Sequence, residues 1–105
     1  MAKKLTLENF DEVINSGKLV LVDFWAEWCM PCIVMGPLIE ELANEVDKEK
    51  VTIAKCDVQT EQAIAQKFSI MSIPTMLIFK DGKPMDQIIG VSQKQALLDK
   101  IDRYI

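Results

Sequence analysis

The chain has 105 residues, half of them hydrophobic and 27% charged, with few glycines and prolines, which predicts one globular domain spanning residues 1–105 and excludes a disordered or fibrous chain. Its formal charge of -4, with the lysines dispersed, argues against nucleic acid or an anionic membrane as a partner, because both need a basic face. There is no histidine, so Ser-His and Cys-His hydrolytic sites and imidazole zinc sites drop out.

Residues 3–6 read as a short edge strand. Leu7, Phe10, Val13 and Ile14 then recur at helical spacing, with Gly17 as the stop. Residues 19–25, LVLVDFW, are nearly continuous in apolar residues, which suits a central strand covered on both faces and interrupted only by Asp23. From Pro31 the positions Val34, Met35, Leu38, Ile39, Leu42, Ala43 and Val46 predict a long helix, with Pro37 removing one backbone donor inside it. Residues 51–58 read as a second buried strand, parallel to the first because a helical crossover joins them.

Thr60 is expected to cap a helix that turns Ile64 and Phe68 inward, and residues 69–74 form a loop. Residues 75–79 and 85–89 are strands joined around Asp81-Gly82, a strong hairpin signal. Ser92 with Gln95 reads as a capping box, opening a final helix whose inward stripe is Leu97, Leu98, Ile101, Tyr104 and Ile105. The order is β-α-β-α-β-α-β-β-α, an α/β class with a central mixed sheet flanked by helices on both faces.

The chemistry concentrates where the central strand ends, in LVLVDFWAEWCMPC. Cys29 and Cys32 flank two residues at a strand-to-helix junction, with Pro31 where the helix begins. A thiol at a helix amino terminus ionises more readily, since unpaired N–H groups and the macrodipole favour an anion; Cys29 is therefore the expected nucleophile. Three cysteines, two of them close together, do not make a secreted disulfide framework, and MAKKLTLENF has no apolar h-region behind its charges. A reducing, cytoplasmic setting follows. Cys56 on its strand reads as a small core residue. Asp23, an acid in an apolar strand, is expected to have a raised pKa and to accept a proton from Cys32.

A CxxC pair inside a βαβ unit is the mark of a thioredoxin-like redox motif. With VDFWAEWCMPC, a proline five residues on, KCDV, SIPT, FKDGK and an isolated Gly90 in that order, the chain resembles the thioredoxin family over essentially its whole length. The resemblance implies the thioredoxin fold and an exposed redox dithiol. It also implies protein-disulfide reduction renewed by a thioredoxin reductase-like electron donor, with disulfide-containing proteins as substrates, no metal, and no cofactor beyond the Cys29-Cys32 pair. By position, Cys29 resembles the attacking thiol and Cys32 the buried resolving thiol. Asp23 and Lys55 resemble the buried pair behind them, and Trp28 the aromatic beside the disulfide.

Ile73-Pro74 looks like the family's cis-proline loop, and Gly90 with Val91 like the rim of the substrate groove. Trp28, Met30, Pro31, Ile73, Pro74, Gly90 and Val91 are the expected docking surface. The departures lie around that surface: Met30 stands where the family usually has glycine, Ile33 replaces a common basic residue, and Met71-Ser72 stands where an arginine-glycine pair is frequent. They bear on redox potential, reductase choice and substrate preference rather than on the reaction class. The competing readings are a cluster or metal module using Cys29, Cys32 and Cys56, a non-catalytic adaptor using the same groove, and an oxidant or isomerase. A reductant acting as a monomer is the favoured reading.

Overall fold

The computed structural model describes residues 1–105. Its elements are β1 (Lys3–Lys4), α1 (Phe10–Ile14), β2 (Leu19–Trp25), α2 (Met30–Glu45), β3 (Val51–Asp57), α3 (Gln62–Lys67), β4 (Thr75–Lys80), β5 (Lys83–Ile89) and α4 (Lys94–Tyr104). The strands form one sheet in the order β1-β3-β2-β4-β5. β2 lies at its centre, parallel to β3 and antiparallel to β4, and so is covered on both faces as its apolar run requires.

Strand alternation sorts the core into two layers. Leu19 and Leu21 of β2 pack with Ile53 of β3 and Met76 of β4 under α2 and α4, through Met35, Ile39, Leu97 and Ile101. Val20, Val22 and Phe24 pack on the opposite face under α1 and α3, where Phe10, Phe68 and Phe79 form an aromatic cluster with ring centroids 5.1 to 6.0 Å apart. Asp23 falls in the first series, so its side chain lies on the α2 face. The β4-β5 hairpin turns through Asp81 (φ 53°) and Gly82 (φ 80°), the two positive φ angles of a two-residue turn that matches strand twist.

Several local expectations are corrected. Leu7 is not part of α1, which begins at Phe10; it is exposed, and its N–H bonds Glu61 Oε1 at 2.9 Å. Thr60 does not cap α3: Glu61 holds that position, and the Thr60 hydroxyl bonds back to the Asp57 carbonyl. Ser92 does not open α4, because Gln93 is the N-cap and the Ser92 N–H points at Met35 Sδ at 3.4 Å. Val34 is exposed on α2, and Ile105 is exposed beyond the end of α4, which stops at Tyr104. No helix is long and apolar enough to cross a membrane.

Candidate active site

β2 ends at Trp25 and α2 starts at Met30, so Cys29 is the residue on which strand gives way to helix. It is the N-cap of α2, in an extended conformation (φ -93°, ψ 107°), and its Sγ accepts the Cys32 N–H at 3.2 Å. A sulfur thus does here what a Ser or Asp oxygen does at other N-caps, and Pro31 in the first turn sacrifices an N–H that had no partner in the helix anyway. A negative charge on that sulfur would meet the backbone donor and the positive end of a 16-residue helix dipole.

Cys29 and Cys32 form a disulfide with Cα atoms 5.2 Å apart. The dithiol is less exposed than the resemblance implied: Cys29 keeps 5% of its surface and Cys32 2%, because Ala26, Trp25, Val58 and Ile73 pack around them. Cys29 is the outer of the two. Its Sγ lies 3.8 Å from the Ile73 carbonyl oxygen, the Ile73-Pro74 bond is cis, and the Gly90 N–H bonds the Pro74 carbonyl at 2.9 Å. Gly90 has φ 89°, a conformation that a side chain at that position would oppose. The loop before β4 and the end of β5 are therefore brought to the sulfurs together.

Several large apolar side chains are exposed in the segments that flank Cys29, Cys32, Ile73 and Gly90 in the chain. Trp28 is 63% exposed, Met30 70%, Ile33 48% and Val91 57%, and Met71 is almost wholly exposed. Ile73 is half-buried.

Behind Cys32 a cleft of about 120 Å³ is lined by Asp23, Trp25, Cys32, Gly36, Glu40 and Lys55, among others. Asp23 is only 3% exposed, and its Oδ1 has no hydrogen-bond partner. Burial pushes its carboxyl up to about 7, with the Lys55 charge pulling it down less strongly. Asp23 and Lys55 are register partners on β2 and β3, but they are not the buried pair expected: the Lys55 side chain is 37% exposed, and the ammonium does not pair with this acid. Lys55 Nζ lies 3.6 Å from Glu40 Oε2 and 5.6 Å from the centre of the Trp25 ring. Glu40 was missed in the sequence, where it looks like any charge on a solvated helix face; its spacing of eight residues from Cys32 was the available signal.

Cys56 is fully buried on the α1 and α3 face of β3, away from this cleft. Burial, with Glu61 and Asp57 adding to it, pushes its thiol up to about 12, which disfavours the thiolate a metal ligand must supply. No group of three or more His, Cys, Asp or Glu side chains is placed to hold a metal ion.

The family model for thioredoxin matches residues 1–103. The chain belongs to the thioredoxin family. A thioredoxin of Staphylococcus haemolyticus is 47% identical over 102 residues, covering 97% of this chain and 96% of that one. The solved thioredoxin of Malassezia sympodialis superposes with a TM-score of 0.90 at 31% identity, covering 99% of this chain and 90% of that one. A bifunctional thioredoxin reductase/thioredoxin of Mycobacterium leprae is 47% identical over 89 residues, which are 85% of this chain and 19% of that one. The thioredoxin fold expected for the chain is the fold it has. With its Cys29-Cys32 pair the chain is a protein dithiol-disulfide oxidoreductase working by thiol-disulfide exchange.

Proposed function

We propose that the chain acts as a single-domain, monomeric, cytoplasmic reductant of protein disulfides, with Cys29 as attacking thiol, Cys32 as resolving thiol and Asp23 as the acceptor of the Cys32 proton. The observation that carries the assignment is the Cys32 N–H aimed at Cys29 Sγ on the N-cap of α2.

The Cys29 thiolate attacks one sulfur of a substrate disulfide. A new S–S bond forms, the old one breaks, and the first substrate sulfur leaves as a thiolate. Cys32 passes its proton to the Asp23 carboxylate and attacks Cys29 Sγ, so the mixed disulfide breaks and the second substrate thiolate departs. The protein is oxidised by two electrons and the substrate is reduced by two. Asp23 suits this role because a carboxyl titrating at about 7 can accept and release a proton near neutrality. Lys55 sets its electrostatic surroundings.

Trp28, Met30, Pro31, Ile73, Pro74, Gly90 and Val91 form the docking surface, an extended substrate segment pairing with backbone beside Ile73. Met30 and Ile33 enlarge its apolar part, as their exposure allows. Replacing them, Met30→Gly with Ile33→Lys, is expected to raise KM for protein disulfides about tenfold with kcat little changed, which is the loss from leaving roughly half a side chain's worth of apolar area wet at each position. Unchanged kinetics toward substrate and reductase would remove both from the surface.

The electron donor is a thioredoxin reductase-like enzyme; the Mycobacterium leprae relative that joins the two in one name supports that pairing. The test supplies an insulin-type protein disulfide with candidate reductases and their nicotinamide cofactors in turn, and follows cofactor oxidation. One reductase is expected to sustain many turnovers. Failure of every reductase, while a small dithiol drives the reaction, would refute the proposed donor.

A further inference from the structure

Asp23 and Lys55 are directly opposed in the β2-β3 register, and strands in a sheet lie about 4.8 Å apart, well within reach of a lysine stem. A buried carboxylate facing a lysine ordinarily takes it as a counter-ion. Here Asp23 Oδ1 is left without a partner, while the ammonium sits between Glu40 Oε2 and the face of Trp25. Glu40 is held in turn at its other oxygen by the Ala2 N–H at 2.8 Å. Cys32, Gly36 and Glu40 follow one another at four-residue spacing along the same face of α2. Gly36 contributes no side chain between them, and the cleft connects the three to Asp23.

We infer that Glu40 is a positioning residue: by holding the Lys55 ammonium at the mouth of the cleft it keeps that charge off Asp23, leaving the buried acid beside Cys32 without a directly paired cation. The inference deepens the proposed mechanism and rests on reading Asp23 as the proton acceptor. Few charged or titratable groups surround Asp23. β3 presents Lys55, α2 presents Cys32 and Glu40, and β4 presents the apolar Met76 opposite it. With the ammonium held where it is, burial outweighs the downward pull of the Lys55 charge on the Asp23 carboxyl. Released from Glu40, the ammonium would reach the carboxylate and favour its charged form, since an opposite charge at a few ångströms lowers a carboxyl pKa by about 1 to 3 units.

Four oxidised proteins test this: the natural chain, Glu40→Gln, Lys55→Met and the double variant. The titration of the Asp23 carboxyl carbon is followed by NMR against pH. Gln keeps the shape of Glu40 and an acceptor for the Ala2 N–H, and the position is about one-third exposed, so the fold is retained. Glu40→Gln is expected to lower the Asp23 midpoint by about one unit, and to add no shift once Lys55 is Met. No downward shift in Glu40→Gln would overturn the inference. So would an equal shift in both Lys55 backgrounds, because Glu40 would then act directly as a like charge and not through the lysine. The carboxyl itself is the readout, so a failure of Asp23 as proton acceptor appears elsewhere, as an unchanged resolution rate in Asp23→Asn, and leaves the NMR result standing.

Discussion

Cys32→Ser is expected to turn the protein from a turnover catalyst into a trap. The donor to Cys29 Sγ is the backbone N–H of residue 32, so it survives the substitution, and the first attack on a substrate disulfide proceeds. The second step loses its nucleophile. In the natural chain that nucleophile is one helical turn away, with Cα atoms 5.2 Å apart, and acts at a high effective concentration. Against an external thiol at about 1 mM, even a modest effective molarity of about 10 M makes release roughly 10,000-fold slower in the variant, and well-oriented values near 10⁵ M make it slower still. Mixed disulfides should accumulate and be visible by mass as adducts at Cys29. Cys29→Ser should instead form none. A pure adaptor would bind partners equally well with either cysteine replaced, so recovery of the same partners from both variants, without a covalent adduct, would refute the assignment of the two sulfurs.

What the residues disclosed in advance and what they hid divides along a physical line. β2 was legible to the residue because a nearly continuous apolar run of seven residues reads as a strand covered on both sides, and six of its seven positions are buried. The hairpin was legible because Asp81-Gly82 tolerates the two positive φ angles that a two-residue turn demands. Cys29 was placed by the strand-to-helix junction alone. The caps at Thr60 and Ser92 were misplaced because several adjacent polar residues could serve, and tertiary contacts chose: the Ser92 N–H was drawn to Met35 on α2. The cis bond before Pro74 came from the resemblance, since no local pattern separates it from a trans one. Glu40 was hidden for a further reason. Its meaning depends on the β2-β3 register that brings Lys55 opposite Asp23, and on α2 crossing above both, which is long-range information that helical periodicity does not carry.

Asp23→Asn is expected to make the protein more stable and slower at once. The folded-state pKa of this carboxyl, about 7, lies above its ordinary 3.8, so the folded chain keeps a proton that the unfolded chain has already released. Its contribution to stability is therefore complete below about pH 4 and is lost as pH rises through 7; the difference corresponds to about 4 kcal/mol. An amide cannot ionise, and burying it without partners costs about 1 to 2 kcal/mol. At pH 8 the variant should thus be more stable by about 2 to 3 kcal/mol, and the denaturation midpoint of the natural chain should fall between pH 5 and 8 while that of the variant stays flat. Equal slopes in the two proteins would mean that Asp23 is not titrating in this range. In the same variant, resolution of a trapped mixed disulfide at neutral pH should slow about 100-fold, the usual contribution of a positioned base. A stabilised variant with an unchanged resolution rate would strike Asp23 from the mechanism. An acid that weakens the fold at working pH is intelligible under the proposed mechanism, in which Cys32 requires a neighbour that exchanges protons near neutrality; with no histidine in the chain, a buried carboxylate in the cleft is the group able to fill that role.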